Sequence, residues 1–236
     1  MDYNIKIPKN FIEIIKTFQT DIKKINYPKN RNKISLFKVI DKFTQFIPCL
    51  QDAGQLVEYL DKLPELSKSI GGINTYLEIG SYFGGTYIIT TEFLRQFNPT
   101  IKSTAIDLDL FNSSYLLRQY DNIGMPGLSS ILVMDTSTPI FANWIKNLNF
   151  DLVLIDGDHS YKGISNDYSI IRPRSKIVVL HDIINPSTPG VMQLWKDIKE
   201  SSNYNYFEYT VNALKWTNQD LQTEVDLRKM GIGIEY

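Results

Sequence analysis

The spacing of apolar positions changes near residue 73. Before it, apolar residues fall three and four apart. Phe11, Ile14, Ile15, Phe18 and Ile22 would line one face of a helix over 10–25. Leu36 to Phe46 and Gln55 to Leu66 repeat that spacing, with a polar break from Pro28 to Asn32 and Gly71-Gly72 closing the region. After it, short apolar blocks alternate with amphipathic stretches. Strands are predicted at 75–79, 103–107, 130–134, 151–155, 176–180, 205–211 and 231–236. Helices are predicted near 85–97, 112–121, 138–147, 162–171 and 189–201. Buried strands joined by helices imply an α/β fold whose sheet is mostly parallel and covered on both faces. Residues 212–230 show no clear helical period, so one antiparallel end strand is expected. Residues 1–72 read as a helical extension on a main domain of 73–236, because short apolar helix faces need a partner to cover them.

Composition narrows the class. The chain has 236 residues, 43% hydrophobic and 12% aromatic, enough for one substantial core. Its formal charge of -1 gives no argument for a nucleic-acid partner or an anionic membrane. No apolar run approaches the roughly 20 residues that span a bilayer. Cys49 is the only cysteine, which excludes an intrachain disulfide and a thiolate metal cluster. With no basic-then-apolar leader at Met1, a cytoplasmic location is expected. Lysines are dense in the first 40 residues, from Lys6 and Lys9 to Lys38. They are scattered, which favours a solvated helical face over a patch for an anionic partner. Apolar faces left over on these helices would suit a homodimer.

The stretch Tyr76-Leu-Glu-Ile-Gly-Ser-Tyr-Phe-Gly-Gly-Thr86 carries the first chemistry. A strand runs into a glycine-punctuated loop, then a helix. Ser103-Thr-Ala-Ile-Asp107 follows, a strand ending in an acid. This is the layout of a nucleoside-binding βαβ unit, in which glycines admit a ligand to the backbone and the acid accepts from ribose hydroxyls. Glu78 departs from the dinucleotide pattern, since a carboxylate beside the loop would repel a pyrophosphate. It would suit S-adenosylmethionine (SAM), which carries a sulfonium and an ammonium and no phosphate.

A second cluster is Phe150-Asp-Leu-Val-Leu-Ile-Asp-Gly-Asp-His-Ser-Tyr161. Its strand delivers Asp156, Asp158 and His159 to the edge where α/β sheets bind ligands. The next strand delivers His181 and Asp182 to the same edge. So many ionisable groups need pairing or a cation, and a divalent metal would satisfy them. A plain hydrogen-bonded pair of Asp156 and His181, with Asp158 capping the next turn, is the alternative. Tyr161 and Trp195 could line an acceptor pocket or belong to the core. Arg172 and Arg174 are expected in a solvated turn, and Cys49 as a small core residue.

These motifs resemble a known group. Leu77-Glu-Ile-Gly-Ser-Tyr-Phe-Gly-Gly is similar to the first motif of class I SAM-dependent methyltransferases, and Ala105-Ile-Asp-Leu-Asp109 to the end of their second strand. The pattern I-D-G-D-H-S-Y followed by V-L-H-D-I resembles methyltransferase family 24, a relative of catechol-type and macrolide-sugar O-methyltransferases and of cephalosporin-hydroxylase-like proteins. The likeness extends through Pro189-Gly-Val-Met-Gln-Leu-Trp195 to Gly231-Ile-Gly-Ile, over about residues 75–236. It implies a Rossmann-like fold with a seven-stranded sheet. It implies SAM contacts at Glu78, Gly80, Ser81, Gly84, Gly85, Thr86, Asp107, Asp135, Thr136 and Asp156, with Asp135 and Thr136 on the adenine side. It implies Mg²⁺ at Asp156 and Asp182; Asp182 is flanked by His181 and Ile183 where relatives carry an acid or an asparagine, and a site of Asp156, His181 and Asp182 would favour a softer divalent metal such as Mn²⁺, Fe²⁺ or Zn²⁺. It implies His159 as the base, beside Asp156, and a small-molecule or sugar hydroxyl as acceptor.

Overall fold

The computed structural model describes residues 10–47, 49, 51–108, 113–123, 127–201, 204–211 and 230–236. Lys6, Lys9, Asp109 and the connection 212–229 lie outside them. Four helices come first: α1 (Phe11–Ile25), the single turn α2 (Tyr27–Asn30), α3 (Lys33–Thr44) and α4 (Ala53–Ser69). The alternating region follows with β1 (Thr75–Ile79), α5 (Gly85–Leu94), β2 (Lys102–Asp107), α6 (Ser113–Ile123), β3 (Ser129–Val133) and α7 (Pro139–Ile145). It continues with β4 (Phe150–Ile155), α8 (Tyr161–Ile171), β5 (Ser175–His181), α9 (Pro189–Ser201), β6 (Tyr206–Val211) and β7 (Met230–Glu235). An unforeseen element, α2, falls at the expected polar break. Pro28 presets its first turn, and left-handed Asn26 and Arg31 bracket it.

The strands form one seven-stranded sheet in the order β3-β2-β1-β4-β5-β7-β6. Strands β1 to β5 pair in parallel, while β7 runs antiparallel to both β5 and β6. The reversed strand is therefore last in sequence order but next to last in the sheet. Among the described residues, β6 pairs with β7 alone.

Side-chain alternation along the strands separates two apolar layers. Tyr76, Leu152, Leu154, Ile177 and Val179 face α1, α3, α4 and α5, together with Leu117 and Tyr120 of α6. Leu77, Ile79, Val153, Ile155, Val178 and Leu180 face α7, α8 and α9. The N-terminal helices thus cover one face of the sheet and share its core; Ile12, Ile34 and Phe37 stay exposed on their outer side. Arg172, expected in a solvated turn, instead lies 3.0 Å from the buried Glu235 and stacks on Tyr204 at 3.6 Å. The β5–β7–β6 end of the sheet supplies both partners, which local sequence could not foretell. No helix among the described residues is long and apolar enough to cross a membrane.

Register places the chemistry. Ile79 pairs with Ile106 on one side and Ile155 on the other, and Ile155 pairs with Leu180. The next residues are Gly80, Asp107, Asp156 and His181. All four leave the sheet at one edge, the carboxyl end of the parallel strands.

Candidate functional site

A cleft of about 1560 Å³ opens along that edge, and it is lined by Glu78, Gly80, Ser81, Gly85, Thr86, Asp107, Asp135, Thr136, Asp156, His159, His181 and Asp182. Gly84, the remaining residue of the expected set, sits behind the loop. Its φ of 81° is left-handed, and a Cβ there would meet Leu117 Cδ2 at 2.1 Å. Gly80 is more constrained. Its φ is 82°, and a Cβ would meet the Asp156 carbonyl oxygen at 2.1 Å. Glycine at 80 therefore lets the first loop lie directly against the loop of the second cluster.

Asp107 takes a role in building the loop. One of its oxygens accepts from the Tyr82 N–H at 2.6 Å, holding a residue whose φ is 48°. Gly80 and Ser81 N–H both donate to the Ile106 carbonyl. The Ser81 hydroxyl is buried with no hydrogen-bond partner, an orphaned donor at the cleft wall. Asp135 is exposed and its carboxylate accepts from Ser137 N–H at 2.8 Å; the Ser137 side chain, and then this N–H, lower its pKa. Glu78 is buried, accepts from the Tyr76 hydroxyl, and is pushed well above the usual carboxylate range by burial. Burial thus disfavours its charged form, and a cation placed beside it would favour that form again.

The second cluster is compact. Asp156 Oδ1 lies 3.0 Å from His159 Nε2 and 3.3 Å from His181 Nδ1. Asp182 Oδ1 lies 3.4 Å from the same His181 nitrogen. Burial alone would push the Asp156 carboxyl up, but His181 and His159 outweigh it and hold it at about 2. The hydrogen bond to Asp156 raises His159, while burial of His181 is outweighed by Asp156 and Asp182, so it too is raised. Asp182 has a φ of 62°, a strained setting for a residue other than glycine. One donor atom each from Asp156, His181 and Asp182 falls within 4.8 Å of the others. Two carboxylates and an imidazole are a donor set that fits a divalent cation, and Asp182 Oδ1 is buried without a hydrogen-bond partner. Asp158 stands apart and accepts from Ser160 N–H at 2.8 Å in the turn before α8.

Three residues join the site from the extension. Gln51 Nε2 donates to Asp156 Oδ2 at 2.6 Å, and Gln51 Oε1 accepts from the Thr86 hydroxyl. Gln55 Oε1 lies 3.3 Å from His181 Nε2. Cys49 Sγ lies 3.0 Å from Gln51 Oε1 and 3.1 Å from Thr86 Oγ1; burial pushes its thiol up to about 12, so it is no nucleophile. Sequence reasoning missed both glutamines. A signal existed for Gln55, a polar residue on the apolar stripe with Tyr59 and Leu63. Trp195 is core, donating to Glu208, whereas Tyr161 stays exposed at the mouth and donates to Asp197.

A family model described as a methyltransferase domain matches residues 77–183. No curated protein matches the chain in sequence. Solved structures do match in shape. An O-methyltransferase from Bacillus cereus in complex with SAH is 12% identical, with a TM-score of 0.57 over 94% of this chain and 99% of that one. An O-methyltransferase of tomaymycin synthesis from Streptomyces achromogenes, in complex with SAM, is 14% identical, with a TM-score of 0.54 over 86% and 88%. The TDP-rhamnose 3'-O-methyltransferase of calicheamicin biosynthesis is 14% identical, with a TM-score of 0.57 over 94% and 93%. Residues 77–183 thus match a methyltransferase-domain model, and the chain shares the Rossmann-like fold of these O-methyltransferases.

Proposed function

We propose that this protein transfers a methyl group from SAM to a hydroxyl oxygen of a small molecule or sugar, assisted by a divalent cation at Asp156, His181 and Asp182. One observation carries the reading: a single cleft joins the glycine loop and Asp107 to the Asp156–His159–His181–Asp182 cluster. The two solved relatives crystallised with SAM or SAH and the sugar O-methyltransferase of the same fold support it.

Roles follow from the chemistry of the side chains. The loop at Gly80, Ser81, Gly84 and Gly85 admits the methionine end of SAM, where Glu78 balances its positive charge. Asp107 accepts from the ribose hydroxyls, and Asp135 and Thr136 border the adenine. Bound SAM supplies the methyl on a sulfonium; a bound cation lowers the pKa of an acceptor hydroxyl. His159 keeps Nε2 on Asp156 and offers Nδ1 to the acceptor proton. Its raised pKa makes it the stronger base. The O–C bond forms as the S–C bond breaks, and the proton ends on His159. The rest of the rate comes from aligning oxygen with sulfonium.

A metal-free reading rests on a specific observation too. A protonated His181, between Asp156 and Asp182, can itself bridge the two carboxylates and offset one of their two charges. Methyl transfer from labelled SAM to a panel of hydroxylated acceptors, with and without EDTA, separates the two. Thermal stabilisation by NAD and not by SAM would overturn both.

A further inference from the structure

We infer that Gln51 and Gln55, both outside the family match, are positioning residues that configure the cation site before the cation binds. The inference rests on the metal-assisted reading above.

Asp52 caps α4, accepting from Gly54 N–H at 2.8 Å and Gln55 N–H at 3.1 Å. This capping starts the helix beside the cleft and puts Gln55 in its first turn. A glutamine three residues after the cap commonly reaches back to the cap N–H. Here the side chain instead turns inward, is fully buried, and meets His181. Its Nε2 has no partner, so the amide is held in place without satisfying all its own hydrogen bonds. That is a poor arrangement for stability alone. The oxygen of Gln55 accepts from His181 Nε2–H. Nδ1 is then the nitrogen turned to Asp156 and Asp182, and it bears either a proton or a cation.

Gln51 acts on the other ligand. Its amide nitrogen donates to Asp156 Oδ2, and its amide oxygen accepts from Thr86 and Cys49. Oδ2 is occupied by Gln51, and Oδ1 is aimed at both histidines. The glutamine thus sets the plane of the carboxylate and ties it to Thr86 at the start of α5. Residues that orient a ligand in this way typically change metal affinity about 10–100-fold when removed.

The test is Mn²⁺ binding to the full chain, read by the loss of the free-ion EPR signal. Gln55→Leu and Gln51→Leu should each weaken Mn²⁺ about 10–100-fold with melting still cooperative. Gln55→Glu, which keeps the acceptor, should bind Mn²⁺ at least as tightly as wild type. Leucine variants that fold and bind Mn²⁺ like wild type would overturn the inference and leave the metal-assisted reading standing. A wild type that does not bind Mn²⁺ would overturn both. If Gln55→Leu does not fold, weaker binding by Gln55→Glu overturns the inference.

Discussion

Asp156 Oδ1 and His181 Nδ1 lie 3.3 Å apart, although one side chain leaves β4 and the other β5. Parallel register sets that distance: Ile155 pairs with Leu180, so the next residue of each strand emerges at the same height. With Asp182 following in a left-handed conformation, the edge of two strands becomes a three-donor cluster.

Asp156→Asn keeps the shape of the cluster and removes its central charge. Methyl transfer should fall to background while SAM affinity changes only a few-fold. Turnover and calorimetric SAM binding check this together. Full turnover would remove Asp156 from the chemistry.

His159→Gln should lower turnover about 10²–10⁴-fold, the range for a lost general base. Affinity for Mn²⁺ and SAM should stay near wild type, because His159 is not one of the three clustered donors. A small loss of turnover would assign deprotonation elsewhere.

Gly80→Ala and Gly84→Ala should differ. At Gly80 the added methyl meets the backbone of Asp156, which cannot step aside; at Gly84 it meets the end of the Leu117 side chain, which can move. Both also carry the left-handed strain of about 1–2 kcal/mol. Thermal melts should show Gly80→Ala the more damaged, with SAM binding lost as well. Equal melting of the two would contradict the close approach of the loops.

Asp167, on α8 at the cleft, gives a pH dependence. Burial raises its carboxyl to about 6, against the help of Thr136 and Asn166. A raised acid favours the fold while it is protonated. Its contribution is therefore complete below the unfolded value near 4, fades as pH rises through about 6, and is absent above. Asp167→Asn should flatten stability between these limits and stabilise the protein at pH 8 by about 1–2 kcal/mol. Denaturant melts at several pH values measure it. A destabilised variant at pH 8 would show that the carboxylate is needed.

Much of this was legible in the sequence, and the boundary between what was and was not is physical. Strands β1, β2, β4 and β5 announced themselves as short apolar runs, and the motif residues at their ends landed on one edge because parallel pairing fixes relative height. Gln51 was not legible as a site residue, and the apolar stripe that makes Gln55 stand out does not name its partner. Their partners Asp156 and His181 are more than 100 positions away, and no local period encodes such a contact. Glu78 was read as a charge from its letter alone; its burial, and so its protonation, depends on Tyr76 and on the helices packed over it. Arg172 was misjudged for the same reason, since Glu235 arrives from β7.

The place of β7 in the sheet has a consequence for how the chain is made. Synthesis proceeds from the amino end, and domains tend to fold as their segments emerge. Among the described residues, β5 has its outer neighbour in β7, and β6 pairs with no other strand. Until residue 230 and beyond have left the ribosome, β5 presents a bare edge and β6 has nothing to pair with. His181 pairs with Ile232 in that ladder. The nascent protein therefore gains its glycine loop early and a finished β5 late, and the bare edge of β5 is where a nascent chain would be most open to a chaperone or to a second copy of itself.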